Sequence, residues 1–408
     1  MTPTPRRSFP VVAPCFAAAA RWRGLAASML ASALVAVLTS CGGGVDSGGT
    51  GSPTYASGPI SGFGSVIVNG VRFDDSSATV EDADGTSRSR DDLRLGMTTE
   101  IRGSSVLTDS TGTRVSTASS IRFGSEIVGR VDSIDRVANR LVVLGQIVNT
   151  NPATVFDSTS LAGGQAALVV GDVLEVYALF DAATNQYTAT RIERRGSATT
   201  FRLRGVVSLL DTQANAFNIG SERISYAGVA APVFAGLANG SVVTVRLQTT
   251  KTANGWLVTT LADTSPKPRD LDDVRLEGIV GAYTSAARFT VNGVAVDASR
   301  IAAVPGLVAG ARVEVEGVST GGVLIASQLK VKSAGEVAGS AFEVRGSIAS
   351  VNAAQSSFVV RGVAVVYSAS TEFRSGAAAN LLVGANVEAR GLLSSDGTRL
   401  VASRITFK

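Results

Sequence analysis

Residues 342–348 read Phe342-Glu343-Val344-Arg345-Gly346-Ser347-Ile348, and residues 274–279 read Val274-Arg275-Leu276-Glu277-Gly278-Ile279. Apolar and polar side chains alternate in both, the period of a strand with one covered face and one polar face. Each run carries a glycine at the same point. A glycine inside a strand marks a bulge, a corner or the close approach of another segment. The column reads Gly62, Gly129, Gly205, Gly278 and Gly346, at spacings of 67, 76, 73 and 68 residues.

A second column confirms the repeat. Leu-x-x-Gly occurs as Leu93–Gly96, Leu168–Gly171, Leu237–Gly240, Leu307–Gly310 and Leu381–Gly384, and four residues beyond each glycine stand Glu100, Glu175, Thr244, Glu314 and Glu388. Turn signals at Asp135–Asn139, Asp211–Asn215 and Asn352–Gln355 separate the strands, and Asn69-Gly70 and Asn292-Gly293 suit a type I′ hairpin with positive φ at both residues. The stretch before each Leu-x-x-Gly, such as Ala377–Leu381, suits one helical turn. Solenoids and propellers repeat every 20–50 residues, whereas about 70 residues suffice for a small domain of its own. Beads on a string are therefore expected. A small sheet must hide its edges, and closure into a barrel does so. The expected fold is all-β, a tandem array of five small OB-like antiparallel β-barrels at residues 57–124, 125–196, 199–264, 272–333 and 340–408.

The N-terminal segment has another character. Residues 1–40 hold Arg6, Arg7, Arg21 and Arg23 with no acidic residue, then an apolar run from Leu25 to Val37, too short for a bilayer-spanning helix of about 20 residues. Leu38-Thr39-Ser40-Cys41 resembles a bacterial lipobox, which implies cleavage before Cys41, lipid on Cys41, and attachment to a membrane through that lipid. Gly42 in place of Asp favours the outer membrane, with the protein facing the periplasm or the cell surface. Residues 41–56 read as a flexible Gly/Ser tether.

Removing the four arginines of residues 1–40 takes 37 basic residues to 33, against 33 acidic ones, so the formal charge of +4 belongs to the leader. With the basic excess gone, and only 6% aromatic residues, a nucleic-acid partner is not expected. Phe201, Phe217, Phe289, Phe342 and Phe358 occupy apolar positions of the alternation and are expected in cores. The chain has no His, which removes His-based acid–base and nucleophile chemistry. Of its two cysteines, Cys15 leaves with the leader and Cys41 is consumed by lipid.

The segment Ser57–Phe73 (SGPISGFGSVIVNGVRF), continuing to Leu93–Gly96, resembles the opening of domain-of-unknown-function family 5666. Among the five copies the first carries the resemblance most fully. It implies tandem copies in bacterial envelope lipoproteins. It supplies no activity and no catalytic residues.

Glu100, Glu175, Glu314 and Glu388 are the leading candidates for chemistry. Their apolar neighbours place them on a polar strand face, paired across the ladder with arginines such as Arg191 or Arg404. Glu81-Asp82-Ala83-Asp84-Gly85 holds only part of a calcium-loop pattern and reads more simply as a hairpin turn. Asp270-Leu271-Asp272-Asp273 reads as a solvated linker. No catalytic residue, cofactor or metal site is expected. The expected function is a non-catalytic, multivalent binding or structural module, with an envelope polysaccharide or protein as partner. The alternative is a carboxylate-dependent enzyme, or accessory subunit, acting on envelope glycan.

Overall fold

The computed structural model describes residues 53–229, 236–264 and 270–408. The leader, the lipobox and Cys41 lie outside the described residues, as does most of the tether. The described chain is all-β, with small closed barrels and one short α-helix, Ala334–Ala338.

The second unit shows how a barrel closes. Its five main strands are Ile127–Asp135, Arg140–Val143, Gln146–Asn149, Val173–Asp181 and Gln186–Arg195. The first pairs antiparallel with the second and the fourth, the second with the third, and the fourth with the fifth. The third then runs parallel to the fifth and shuts the ring. The same ring order recurs in the third, fourth and fifth units, opening with Phe201–Asp211, Leu271–Ser285 and Phe342–Asn352. In the first unit the opening strand is split into Thr54–Pro59 and Gly62–Phe63.

Both repeat columns have a physical cause. The Leu-x-x-Gly glycines adopt φ of 80, 93, 92, 81 and 89°, a region that favours glycine. This bend turns each glycine N–H onto the opening strand, where Gly96, Gly171, Gly240, Gly310 and Gly384 donate to the carbonyls of Ile60, Val131, Val207, Val280 and Ile348 at 2.8–2.9 Å. Each acceptor lies two residues beyond a strand glycine, namely Gly58, Gly129, Gly205, Gly278 or Gly346. The first unit's member of the column is therefore Gly58 and not Gly62. A Cβ there would lie 2.5 Å from the Asn69 amide oxygen, just as one on Gly278 would lie 2.2 Å from that of Asn292. Gly62 has a separate duty, since a Cβ on it would lie 2.6 Å from the Glu343 carbonyl of the fifth unit.

The hairpins form as expected at Asn69-Gly70 (φ 50 and 69°) and Asn292-Gly293 (φ 51 and 84°). Leu144-Gly145 and Arg361-Gly362 take the same positive φ pair without an asparagine. One helical turn precedes Leu-x-x-Gly at Arg90–Asp92, Gly164–Ala167 and Ala378–Asn380.

Independent beads are not what forms. In this ring the first half of each opening strand pairs with its own fourth strand on one side only, which leaves an exposed edge. The units cover these edges by pairing opening strands with each other. Thr54–Ser57 runs parallel to Asp273–Leu276, Gly62–Phe63 runs parallel to Glu343–Val344, and Ile127–Val128 runs antiparallel to Arg202–Leu203. The cores fuse accordingly: units two and three share one, units one and five share another, and Tyr55 of the first unit packs on the core of the fourth.

Two expectations are corrected by this pairing. Thr54–Ala56, assigned to the tether, is strand with Ala56 fully buried, and the segment from Leu271, assigned to a linker, is the start of the fourth unit's opening strand. The polar stripe of the opening strands does not face water throughout. Arg275, Glu277 and Glu343 are buried, because the first unit covers that face.

Candidate functional site

Charged residues on the covered stripes form ion pairs, some within a unit and some across a junction. Arg275 of the fourth unit meets Glu316 at 2.5 Å, and Arg114 of the first meets the same carboxylate at 2.6 Å. Arg72 pairs with Glu343 at 2.7 Å between the first and fifth units. Arg191, buried in the second unit, pairs with Asp157 at 2.8 Å and Glu193 at 2.6 Å, and donates to the Leu95 carbonyl of the first at 3.3 Å. Two of these ion pairs, Arg114–Glu316 and Arg72–Glu343, join one barrel to another.

Where units one to four meet, the packing leaves a cavity of about 510 Å³. That lies within the roughly 300–1,000 Å³ of small-molecule sites. The first unit contributes Tyr55, Glu100 and the hairpin tip Ala83-Asp84, and the second contributes Ala178–Phe180. The third presents Arg202, Arg204 and Arg246, and the fourth closes the wall with Leu276 and Glu277.

The third unit's arginines arise from its strand pattern. Arg202 and Arg204 stand three residues and one residue before Gly205, on the polar stripe, and Arg246 lies directly opposite Arg202 on the paired strand Val242–Leu247. Arg204 pairs with Glu126 at 3.1 Å and lies 5.5 Å over the Phe180 ring. Burial lowers its pKa, and the Glu126 carboxylate more than offsets that, leaving it above the ordinary arginine value. Arg202 reaches Asp84 at 3.3 Å, and Arg246 reaches the other oxygen of the same carboxylate. Burial draws the Arg202 pKa down and Arg246 adds to the fall, against the opposing pull of Asp84 and Glu126. Burial, with a smaller contribution from Glu100, keeps the Tyr55 phenol well above its usual range and therefore protonated.

The repeated glutamates are not brought together. Each occupies the fourth strand of its own barrel, and three are tied to a cation. Arg195 Nε donates to Glu175 at 2.7 Å, and Lys332 and Lys408 pair with Glu314 and Glu388 at 3.0 and 2.9 Å. The partners differ from those expected, since Arg191 serves Asp157 and Glu193, and Arg404 serves Glu372. Glu100 alone of the four lines the cavity, exposed and opposite Arg122 in the ladder.

The acidic segment 81–85 is a hairpin turn closed by Gly85 at φ 77°. Asp82 pairs with Arg88 at 2.7 Å and accepts the Asp84 and Thr86 N–H groups at 3.0 Å, while Asp84 reaches the third unit. Asp273 pairs with Arg275 at 3.2 Å. Among the described residues no three His, Cys, Asp or Glu side chains converge on a metal-sized site. Phe201, Phe217, Phe289, Phe342 and Phe358 are all buried core residues.

Sequence reasoning missed the arginine cluster. Arg202 and Arg204 were visible as polar positions of an alternating strand, but nothing in the spacing marks Asp84, 118 residues away, as their partner.

No curated protein matches the chain. The family model Domain of unknown function (DUF5666) matches residues 128–193 and 345–406, the second and fifth units. The first unit, whose opening carried the resemblance, is not among these segments, and its opening strand is the one split between two neighbours. At residues 128–193 and 345–406 the chain is similar to this family of unknown function, consistent with a repeated domain.

Proposed function

We propose that the chain is a non-catalytic, lipid-anchored protein of the bacterial outer membrane, whose five OB-like barrels in tandem act as one binding and structural module. The ring order, with third and fifth strands parallel and a short turn before the fourth, supports the OB-like reading. The leader pattern and Leu38-Thr39-Ser40-Cys41 support export and lipid attachment at Cys41. The partner is an envelope polysaccharide or protein, not nucleic acid. A polymer touching several barrels gains through effective concentration, and fixed spacing lowers the ordering cost.

The observation that carries the non-catalytic reading is the dispersal of the repeated carboxylates. Glycosidic cleavage needs two carboxyl groups flanking one bond, at about 5–10 Å. Here the candidates sit in four separate barrels, three of them holding a cation. The test incubates the mature protein with isolated envelope glycan and measures new reducing ends together with binding. No turnover is expected, either in wild type or when Glu100, Glu175, Glu314 and Glu388 are all replaced by Ala, and binding should persist in both. Turnover lost in that variant, with the fold intact, would establish the carboxylate-dependent enzyme instead.

A further inference from the structure

We infer that the cavity between units one to four is a binding site for a sugar-sized ligand bearing an oxyanion, and that Asp84 is a built-in carboxylate which that oxyanion displaces. This deepens the proposed binding role and rests on it.

Charge supplies the first argument. Five guanidiniums line the cavity, those of Arg102, Arg122, Arg202, Arg204 and Arg246, against the carboxylates of Asp84, Glu100, Glu126 and Glu277. Glu277 is already held by Arg312 at 2.7 Å and by Lys332 at 3.7 Å. Three carboxylates therefore face five cations, and a low-dielectric wall makes that excess attractive to an anion.

Hydrogen bonding supplies the second. Asp84 is shared by Arg202 and Arg246, and its 3.3 Å approach to Arg202 is longer than the roughly 2.7–2.9 Å of a good charge-assisted bond. Arg202 Nε is buried with no hydrogen-bond partner in the protein. Arg122, which also converges on this tip, donates only to the Ala83 carbonyl, at 2.6 Å. Arginine's planar fork is matched by two oxygens of one carboxylate or phosphate. An oxyanion on the Nε edge of Arg202 would supply the missing acceptor and bridge to Arg246.

The position of Asp84 leaves it free to be displaced. It sits at the tip of a small hairpin whose second strand, Ser87–Arg88, is two residues long, and its side chain is 39% exposed. The hairpin's own shape is set by Asp82, through Arg88 and two backbone N–H groups, so Asp84 can leave without unmaking the turn.

Calorimetry on the mature protein with glucuronate, glucose 6-phosphate and glucose tests this. The two acidic sugars separate a carboxylate ligand from a phosphate one, and glucose removes the oxyanion. Binding of at least one acidic sugar, none of glucose, and weakening with added salt are expected. Asp84→Asn should tighten binding about threefold or more, and Arg202→Met or Arg246→Met should weaken it about tenfold, the worth of a charge-assisted bond. Equal binding of glucose, salt-independent binding, no binding of either acidic sugar, or an Asp84→Asn variant that binds no tighter would each overturn the inference. The wild-type salt series stands even where an arginine variant unfolds. Turnover of glycan would defeat the non-catalytic reading and leave this binding result untouched.

Discussion

A missing Cβ is the smallest feature that shapes this molecule. At Gly278 the Asn292 side chain fills the space where a methyl group would stand, and its amide donates to the Glu277 carbonyl at 3.0 Å. Gly278→Ala must push the hairpin away, at about 1–3 kcal/mol for an overpacked site. Gly310 differs, since its Cβ would meet open space and only φ of 81° opposes a side chain. Gly310→Ala should cost about 1–2 kcal/mol, the left-handed penalty alone. Urea unfolding of both variants checks this, and a Gly278→Ala protein as stable as wild type would refute the close-packing argument. Alternation exposes the glycine column in sequence, but in the first unit it points to Gly62, four residues beyond the true member, Gly58. Two glycines lie in its split opening strand, and only the three-dimensional neighbour tells which one an asparagine covers.

At the scale of elements, strands and hairpins were legible because period two and turn chemistry are local. Asn69-Gly70 and Asn292-Gly293 announced their turns, whereas Leu144-Gly145 and Arg361-Gly362 make the same turn under tertiary constraint and gave no signal. The junctions were not legible, since an arginine on a polar stripe reads alike whether water or another strand faces it. Glu316 between Arg114 and Arg275 is such a case. Its side chain is only 12% exposed, so Glu316→Gln leaves two guanidiniums short of a carboxylate, at about 3 kcal/mol or more. Chemical denaturation reads the loss, and a change below about 1 kcal/mol would make the pair an ordinary surface bridge.

Asp157 offers a pH test at the junction of the first two units. Burial raises its carboxyl, but hydrogen bonds from Thr159 and Ser160 with the charge of Arg191 outweigh it, leaving the pKa below the ordinary 3.8. A depressed folded pKa contributes stability that is present above the unfolded value and is lost as pH falls through the folded one. Stability should therefore drop more steeply below about pH 4 in wild type than in Asp157→Asn. Parallel acid-unfolding curves would contradict this.

At the scale of the whole molecule, the repeat period was sufficient to expect small barrels but silent on how they meet. A 70-residue unit buries only about 60% of its unfolded surface, and this ring order leaves half an opening strand unpaired. Pairing opening strands across units removes both deficits, and the cavity is what remains where four units converge. This joined architecture therefore depends on the long-range pairing of Thr54–Ser57 with Asp273–Leu276. Neighbouring strands lie about 4.8 Å apart, within disulfide reach. The direct test places cysteines at Thr54 and Asp273, with Cys15 and Cys41 changed to Ser, and follows cross-linking under mild oxidation on a non-reducing gel. Near-complete intramolecular cross-linking is the predicted result, and no more than a trace, as separate beads on a flexible chain would give, would contradict it.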